Sequence, residues 1–221
     1  MSPAGPAHAS GPRAPAAHDL RGALRATGGV LLRLPRGLAV VVVVAWLGLI
    51  SWFSSWPAQG VPSLGAAGFT TNLGHAFLFG LLALWCVLCL PRPGPRVLAG
   101  TRGAGESGKH AAVEARVAAA GAWPVLGLGV RTGLVVLVAF FGLLDETHQH
   151  LADQGRDFSL FDVVTDATGA WCVLAIAAYL RREGATEAGL VGRVISAVLA
   201  CFAAAGLATW GPELWPGIGW F

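Results

Sequence analysis

The chain has 221 residues, of which 55% are hydrophobic and only 12% are charged, and its mean hydropathy is +0.63. A soluble globular domain carries about 25% charged residues, so this chain has too little charge to cover a soluble surface. Disorder of the whole chain is excluded, because disordered proteins combine low hydrophobicity with high charge. The formal net charge of +3 is too small to indicate a nucleic-acid partner. Composition therefore predicts an integral membrane protein.

Five segments are long and apolar enough to cross a bilayer as helices, which takes about 20 residues each. They are Gly37–Phe53, Leu73–Leu90, Trp123–Leu144, Leu160–Leu180 and Leu190–Trp210. A helix satisfies its own backbone hydrogen bonds in lipid, so even the valine-rich first segment is predicted to be helical. We therefore predict an all-α fold, a polytopic membrane helix bundle.

The sequence between the spans divides the chain into three parts. Residues 1–36 precede the first span, and because residues 1–29 are rich in Pro, Ala and Gly we predict a disordered cytoplasmic N-terminus. Residues 37–180 form a four-helix membrane core that includes a flexible cytoplasmic loop over 91–122. Residues 181–221 add a fifth transmembrane helix and an extracytoplasmic tail.

The distribution of arginine and lysine predicts the orientation of the chain in the membrane. Basic residues are concentrated before the first span, in the loop 91–122 and just after the fourth span. The loop 54–72 has no charge, and the acidic loop after the third span has only Arg156. Because cytoplasmic loops are enriched in arginine and lysine, the N-terminus is predicted to lie inside and the C-terminus outside.

Polar residues lie close together near the predicted outer end of the bundle, although a membrane helix bundle does not need them in order to fold. They are Asn72, His75, Asp145, Glu146, His148, Gln149, Arg156, Asp162 and Asp166. Asp145, His148 and Gln149 have the i, i+3, i+4 spacing that a continuing helix presents on one face. An ionisable residue within a membrane span is costly and indicates function, although a polar clamp that ties the helices together is the structural alternative.

This set of residues suits chemistry on a phosphate. The N-termini of the second and fourth helices are predicted to meet at this end and attract an anion, and Arg156 adds a guanidinium that matches phosphate. His148 or His75 would act as general base or nucleophile, with Asp145 or Asp162 orienting the imidazole.

The charge balance of this region does not decide whether a metal cofactor is bound. Six carboxylates lie between Asp145 and Asp166 against the single Arg156. Protonation, pairing with histidine or a divalent cation would offset them. Oxygen ligands with one imidazole suit Mg²⁺, Mn²⁺ or Ca²⁺ better than zinc, but no strict metal-binding spacing is present, so the metal stays unknown.

A segment in the loop 91–122 fits the G-x-x-x-x-G-K pattern of phosphate-binding loops, from Gly103 to Lys109. His110 stands where that pattern requires Ser or Thr to reach Mg²⁺, and no strand precedes the segment. ATP is therefore not predicted as a partner.

Three stretches of the chain resemble the VanZ-like family of membrane proteins. The stretch from the third to the fourth helix resembles the family signature D-E-x-H-Q … G-R … S-x-x-D-x-x-x-[DN]-x-x-G-A. The matching residues are Asp145, Glu146, His148, Gln149, Gly155, Arg156, Ser159, Asp162, Asp166, Gly169 and Ala170. Upstream, the segment from Asn72 to Gly80 resembles the family's D-K-x-x-H-F-x-x-[YF] segment around His75, but it lacks the Asp and the Lys. The residues Ser51, Ser54, Ser55 and Pro57 resemble the serine-containing end of the family's first helix.

The resemblance implies a bacterial cell-membrane protein with a four-helix core, to which the loop 91–122 and the fifth helix are additions. It also implies action on lipid head groups or lipid-linked cell-wall precursors, with an effect on glycopeptide antibiotic susceptibility. The implied active-site residues are His75, Asp145, Glu146, His148, Gln149, Arg156, Asp162 and Asp166. A lipid head-group hydrolase or phosphotransferase is the enzyme that this implies. A non-catalytic binder of lipid or glycopeptide is the alternative, and a proton-coupled transporter ranks last.

The orientation can be tested with single cysteine substitutions in intact cells. We expect Ala152→Cys to react with a membrane-impermeant thiol reagent added outside, and Ala112→Cys to remain unlabelled, because the two positions flank opposite ends of the third span. The unsubstituted chain is the control, since its four cysteines all lie within apolar runs. The reverse labelling pattern would contradict the predicted orientation.

Overall fold

The computed structural model describes residues 20–55, 65–91, 124–152, 158–182 and 184–214. These ranges form six helices and contain no strand. The helices are α1 (Leu20–Leu31), α2 (Arg36–Ser54), α3 (Gly65–Cys89), α4 (Leu128–Leu151), α5 (Leu160–Arg181) and α6 (Glu187–Leu214). Five of them, α2 to α6, are long and apolar enough to cross a membrane. The prediction of an all-α polytopic helix bundle is confirmed.

The second spanning helix is longer than predicted. Helix α3 begins at Gly65, eight residues before the predicted start at Leu73, so His75 lies well inside the helix. The added residues carry no charge, and two threonines among them satisfy their hydroxyls within the helix. Thr70 and Thr71 both donate to the backbone carbonyl of Ala67, at 2.9 and 3.0 Å. Hydroxyls bonded in this way do not require solvent, so the helix continues.

The third spanning helix is shifted toward the C-terminus by comparison with the prediction. Pro124 does not open it, because residues 124–127 are not helical and α4 begins at Leu128. The helix continues through Asp145 to Leu151. The segment that the sequence analysis placed at the exit of this helix is therefore helical.

Helix α1 lies within the N-terminal segment that the sequence predicted to be disordered. The prediction of disorder is therefore corrected for residues 20–31, which are helical. Leu24 packs beside Tyr179, Leu180 and Leu190 at the junction of α5 and α6. Tertiary packing of a few apolar residues therefore orders a segment whose composition favoured disorder. Residues 1–19 and 92–123 lie outside the described residues.

Arg25 fastens α1 to the C-terminal end of α5. Its Nε donates to the carbonyl of Leu180 at 2.6 Å, and its terminal nitrogen donates to the carbonyl of Arg182 at 3.3 Å. The last carbonyls of a helix lack partners within that helix, so an arginine is well suited to cap them. Nearby, the backbone N–H of Arg21 donates to the Glu187 carboxylate at 3.3 Å.

Helices α3 and α5 form the centre of the bundle. Helix α6 packs against both of them, while α4 packs mainly on α5, and α2 mainly on α3. The fully buried core between them includes Phe79, Leu82, Val138 and Leu174. Glycine allows the central pair to approach closely, because a Cβ at Gly169 would overlap the backbone carbonyl of Ala76. A Cβ at Gly80 would likewise lie 3.2 Å from the carbonyl oxygen of Gly169.

The two ends of the bundle carry opposite charge. We call the end at which α2, α4 and α6 finish the site end, and the opposite end the arginine end. All the arginines in the described ranges lie toward the arginine end; they are Arg21, Arg25, Arg33, Arg36, Arg131, Arg181, Arg182 and Arg193. Of the acidic residues in the same ranges, Glu187 alone lies at the arginine end. The others lie toward the site end: Asp145, Glu146, Asp162, Asp166 and Glu213.

Substitution of Gly169 should destabilise the bundle. We expect Gly169→Ala to lower the free energy of unfolding by about 1–3 kcal/mol, because overpacking forces two closely packed backbones apart. The measurement is unfolding of the full chain in detergent micelles. Gly133→Ala is the matched control, since a Cβ at Gly133 has nothing within 4 Å. Equal stability of the two variants would contradict the close crossing.

Candidate functional site

Polar side chains from all five spanning helices meet at the site end. Each helix contributes at least one side chain that is hydrogen-bonded to a neighbouring helix or to the segment that precedes it. The side chains in these contacts are Ser54 of α2, Asn72 and His75 of α3, Asp145 and Glu146 of α4, Asp166 of α5 and Thr209 of α6, while Gln149 bonds to Asp145 within α4. The structure therefore brings together most of the residues that the sequence selected.

The deepest pair in the site joins the two central helices. His75 Nδ1 lies 3.3 Å from Asp166 Oδ1, and the two side chains are 12% and 1% exposed. The imidazole stacks on the ring of Phe79, with 6.1 Å between the ring centroids. The Asp166 carboxylate fills the space beside Gly142 of α4, where an added Cβ would lie 2.5 Å from Asp166 Oδ2. Three helices thus hold this carboxylate in place.

Glu146 connects α4 to the start of α5. Its Oε2 accepts the backbone N–H of Ser159 at 3.0 Å. Ser159 is the N-cap residue of α5, and its hydroxyl accepts the backbone N–H of Asp162 at 3.3 Å. An N-cap serine at this position satisfies a donor that the first turn of a helix otherwise leaves unpaired.

This arrangement corrects the anion site that the sequence predicted at two helix N-termini. At the start of α5, Glu146 and the Ser159 hydroxyl already occupy two backbone N–H groups. Helix α3 begins ten residues before His75, which places its N-terminus roughly 15 Å along the axis at 1.5 Å per residue. The early start of α3 and the side-chain partners at α5 therefore leave fewer backbone N–H groups for an anion beside His75 than the sequence predicted.

Asp145 is the centre of a second hydrogen-bond group, between α2 and α4. Its Oδ2 accepts from the hydroxyl of Ser54 at 2.7 Å and from Nε2 of Gln149 at 2.7 Å. Asp145 and Gln149 are one helical turn apart, so the predicted shared face of these two residues is confirmed. Ser54 was not among the predicted site residues, although its place at the serine-containing end of the first span was part of the family resemblance.

Asn72 faces α6 and not the acidic residues. Its Nδ2 donates to the hydroxyl of Thr209 at 3.0 Å, and that hydroxyl in turn donates to the carbonyl of Ala205 at 2.8 Å. The fifth spanning helix, α6, therefore contributes a polar side chain to the site end of the bundle. Thr209 was missed because a lone threonine in an apolar span carries no signal for function.

His148 lies apart from the buried polar residues. It is exposed on α4, as is His150, whereas Asp145, Glu146 and Gln149 are buried. The i, i+3 spacing from Asp145 therefore does not bring His148 into the bundle, because the face of α4 that packs on its neighbours is too narrow to include it. Arg156 lies outside the described residues.

The buried acids and His75 act on one another electrostatically. His75 interacts with the carboxylates of Asp166, Asp162 and Glu146, and Asp166 also interacts with Asp145. Even so, no group of three or more His, Cys, Asp or Glu side chains in the described ranges is arranged to hold a metal ion. The geometry favours a histidine–carboxylate pair, in which the carboxylate orients the imidazole through Nδ1 and leaves Nε2 for proton transfer.

Comparison of the chain with protein-family models, with curated proteins and with solved structures gave no match. A function for this chain therefore has to be inferred from the site itself.

Removal of the Ser54 hydroxyl should weaken the contact between α2 and α4. We expect Ser54→Ala to lower the free energy of unfolding in detergent by about 1–3 kcal/mol, because Asp145 loses one of its two hydrogen bonds in a buried position. Ser51→Ala, one turn earlier at an exposed position of the same helix, is the control. In an Asp145→Ala background the Ser54→Ala cost should shrink. An undiminished cost would show that the hydrogen bond is not its source.

Proposed function

We propose that this chain is a VanZ-like membrane protein that acts on a phosphate-containing lipid head group, or on a lipid-linked cell-envelope intermediate. The observation that carries the proposal is the buried pair of His75 and Asp166 at the polar end of the bundle. Few structural roles require a histidine and an aspartate paired inside a membrane span, where both are costly to bury. The resemblance of the helix 3–4 segment to the family signature supports the same assignment.

The proposed reaction assigns roles to His75, Asp166 and Glu146, and to Arg156 of the following loop. The Asp166 carboxylate orients the His75 imidazole, which takes a proton from an attacking water or hydroxyl. A bond forms from that oxygen to phosphorus, and the bond from phosphorus to the leaving oxygen breaks. Glu146 supplies a proton to the leaving oxygen, and Arg156 stabilises the charge that develops on the phosphate. His75 then releases its proton to bulk water and Glu146 takes one up, which returns both groups to their starting states.

The orientation predicted from the sequence supports an outer-leaflet site. All the arginines of the described helices lie toward the opposite end, which is the end that the positive-inside rule assigns to the cytoplasm. In the proposed arrangement the protein lies in a bacterial cell membrane, with its N-terminus in the cytoplasm and its C-terminus outside. The site end then faces the leaflet in which cell-wall precursors are used.

A non-catalytic lipid or glycopeptide binder is the second candidate. The observation that favours it over catalysis is that several site groups already have protein partners, which leaves fewer of them free to transfer protons. Ser54, Gln149 and the backbone of Ser159 occupy oxygens of Asp145 and Glu146, as a polar clamp would. Transport has less support, because the core that continues from His75 along α3 and α5 consists of apolar residues such as Phe79 and Leu174.

Conversion of a lipid substrate by purified protein tests the proposal. The full chain is placed in lipid nanodiscs with extracted bacterial polyprenyl-phosphate and phospholipid pools, with and without a chelator, and products are identified by mass spectrometry. We expect a new product with the wild type, and a loss of at least 100-fold in turnover with His75→Gln or Asp166→Asn, since general-base catalysis contributes about 10²–10⁴-fold. The chelator arm decides whether a divalent cation is needed.

His148→Gln is the matched control, because it removes a histidine from the same end of the bundle at an exposed position. We expect this variant to keep most of the activity. A loss of activity with His148→Gln and full activity with His75→Gln would overturn the assignment of the base. A lipid that co-purifies with the wild type without conversion, and is lost from His75→Gln, would favour the binder.

A further inference from the structure

Helix α1 presents an uncharged face to its surroundings and turns its arginines toward the bundle. The exposed residues of α1 are Leu20, Ala23, Ala26, Thr27 and Val30. Leu20 is 42% exposed and Val30 is 64% exposed. The opposite face packs on the α5–α6 junction through Leu24, while Arg25 bonds to the carbonyls at the end of α5.

This arrangement is the reverse of that of a helix that faces water. A water-facing helix exposes its charged side chains and buries its apolar ones. Helices that lie in the plane of a membrane interface expose an apolar face to the boundary between head groups and acyl chains. Leu38, Val40 and Val41 near the start of α2 are exposed as well. Both α1 and the spanning helix that follows it therefore expose apolar side chains.

Exposed arginines surround α1 at the same end of the bundle. Arg33 follows α1, Arg36 opens α2, and Arg181 and Arg182 end α5, all with exposed side chains. Glu187 is the single acidic residue that the described ranges place at this end, and it already accepts the backbone N–H of Arg21. The positive charge of this end is therefore largely uncompensated within the described part of the chain.

We propose that α1 lies in the membrane interface and that the surrounding arginines bind the head groups of anionic phospholipids. The exposed face of α1 contacts the acyl chains near the head groups, and the guanidinium groups contact lipid phosphates, which match their geometry. A zwitterionic lipid offers the same phosphate but adds a positive choline, so the surface prefers lipids with net negative charge. This proposal concerns the arginine end and does not depend on the function of the site end.

The preference for anionic lipid can be measured on the full chain. Native mass spectrometry compares the occupancy of phosphatidylglycerol and phosphatidylcholine, supplied together in equal amounts in mixed micelles. We expect phosphatidylglycerol to be preferred in the wild type. Arg33→Gln/Arg36→Gln should reduce that preference about five-fold for each arginine removed, the factor expected for one basic residue at an anionic surface. Arg33→Lys/Arg36→Lys is the matched control that keeps the charge.

A second measurement reports on α1 itself. Hydrogen exchange of residues 20–31 is compared in nanodiscs of phosphatidylglycerol and of phosphatidylcholine. We expect slower exchange in phosphatidylglycerol, and expect Leu20→Gln/Val30→Gln to abolish the difference while leaving thermal unfolding in neutral detergent unchanged. Equal occupancy of the two lipids in the wild type would overturn the proposal. A preference that survives Arg33→Gln/Arg36→Gln undiminished would also overturn it, as would lipid-independent exchange of α1.

Discussion

The close approach of α3 and α5 at Gly169 and Ala76 is the constraint on which the rest of the structure depends. His75 immediately precedes Ala76, and Asp166 lies one turn before Gly169, so the point of closest backbone contact also sets the distance between the two side chains. In a membrane there is no hydrophobic force between helices comparable to that in water, and small residues let backbones gain packing energy at short range. The same glycine therefore serves packing and the site.

The polar end of the bundle is organised around this crossing by helices on either side. Helix α4 places Gly142 against the Asp166 carboxylate, and its next turns carry Asp145 and Glu146 into the bundle. Helix α2 reaches the group through Ser54, and α6 reaches its far side through Thr209. Most of these contacts pair a buried acceptor with a donor, which is necessary because an unpaired polar group in lipid costs several kcal/mol. The same side chains therefore stabilise the bundle and form the candidate site.

The separation of charge between the two ends gives the molecule two different surfaces. The site end combines buried acids with a histidine, whereas the arginine end carries α1 and a set of exposed guanidinium groups. Two further arginines stack on aromatic rings of the fold. The guanidinium of Arg193 lies 3.8 Å from the centroid of Tyr179, and that of Arg131 lies 5.3 Å from the centroid of Trp171. The two ends therefore differ both in charge and in the side chains that they expose.

The sequence by itself determined the class of fold and most of the site residues. Long apolar spans admit only helices in lipid, and the cost of burying Asp166 or Glu146 there marks such residues without knowledge of their neighbours. Hydropathy could not locate the start of α3, because Gly65 to Thr71 are uncharged but not strongly apolar. Only the tertiary structure decided that His75, and not His148, joins the acids, that Ser54 and Thr209 belong with them, and that residues 20–31 form a helix. These outcomes depend on which narrow face of each helix meets its neighbour, and helix rotation is set by packing between segments distant in the chain.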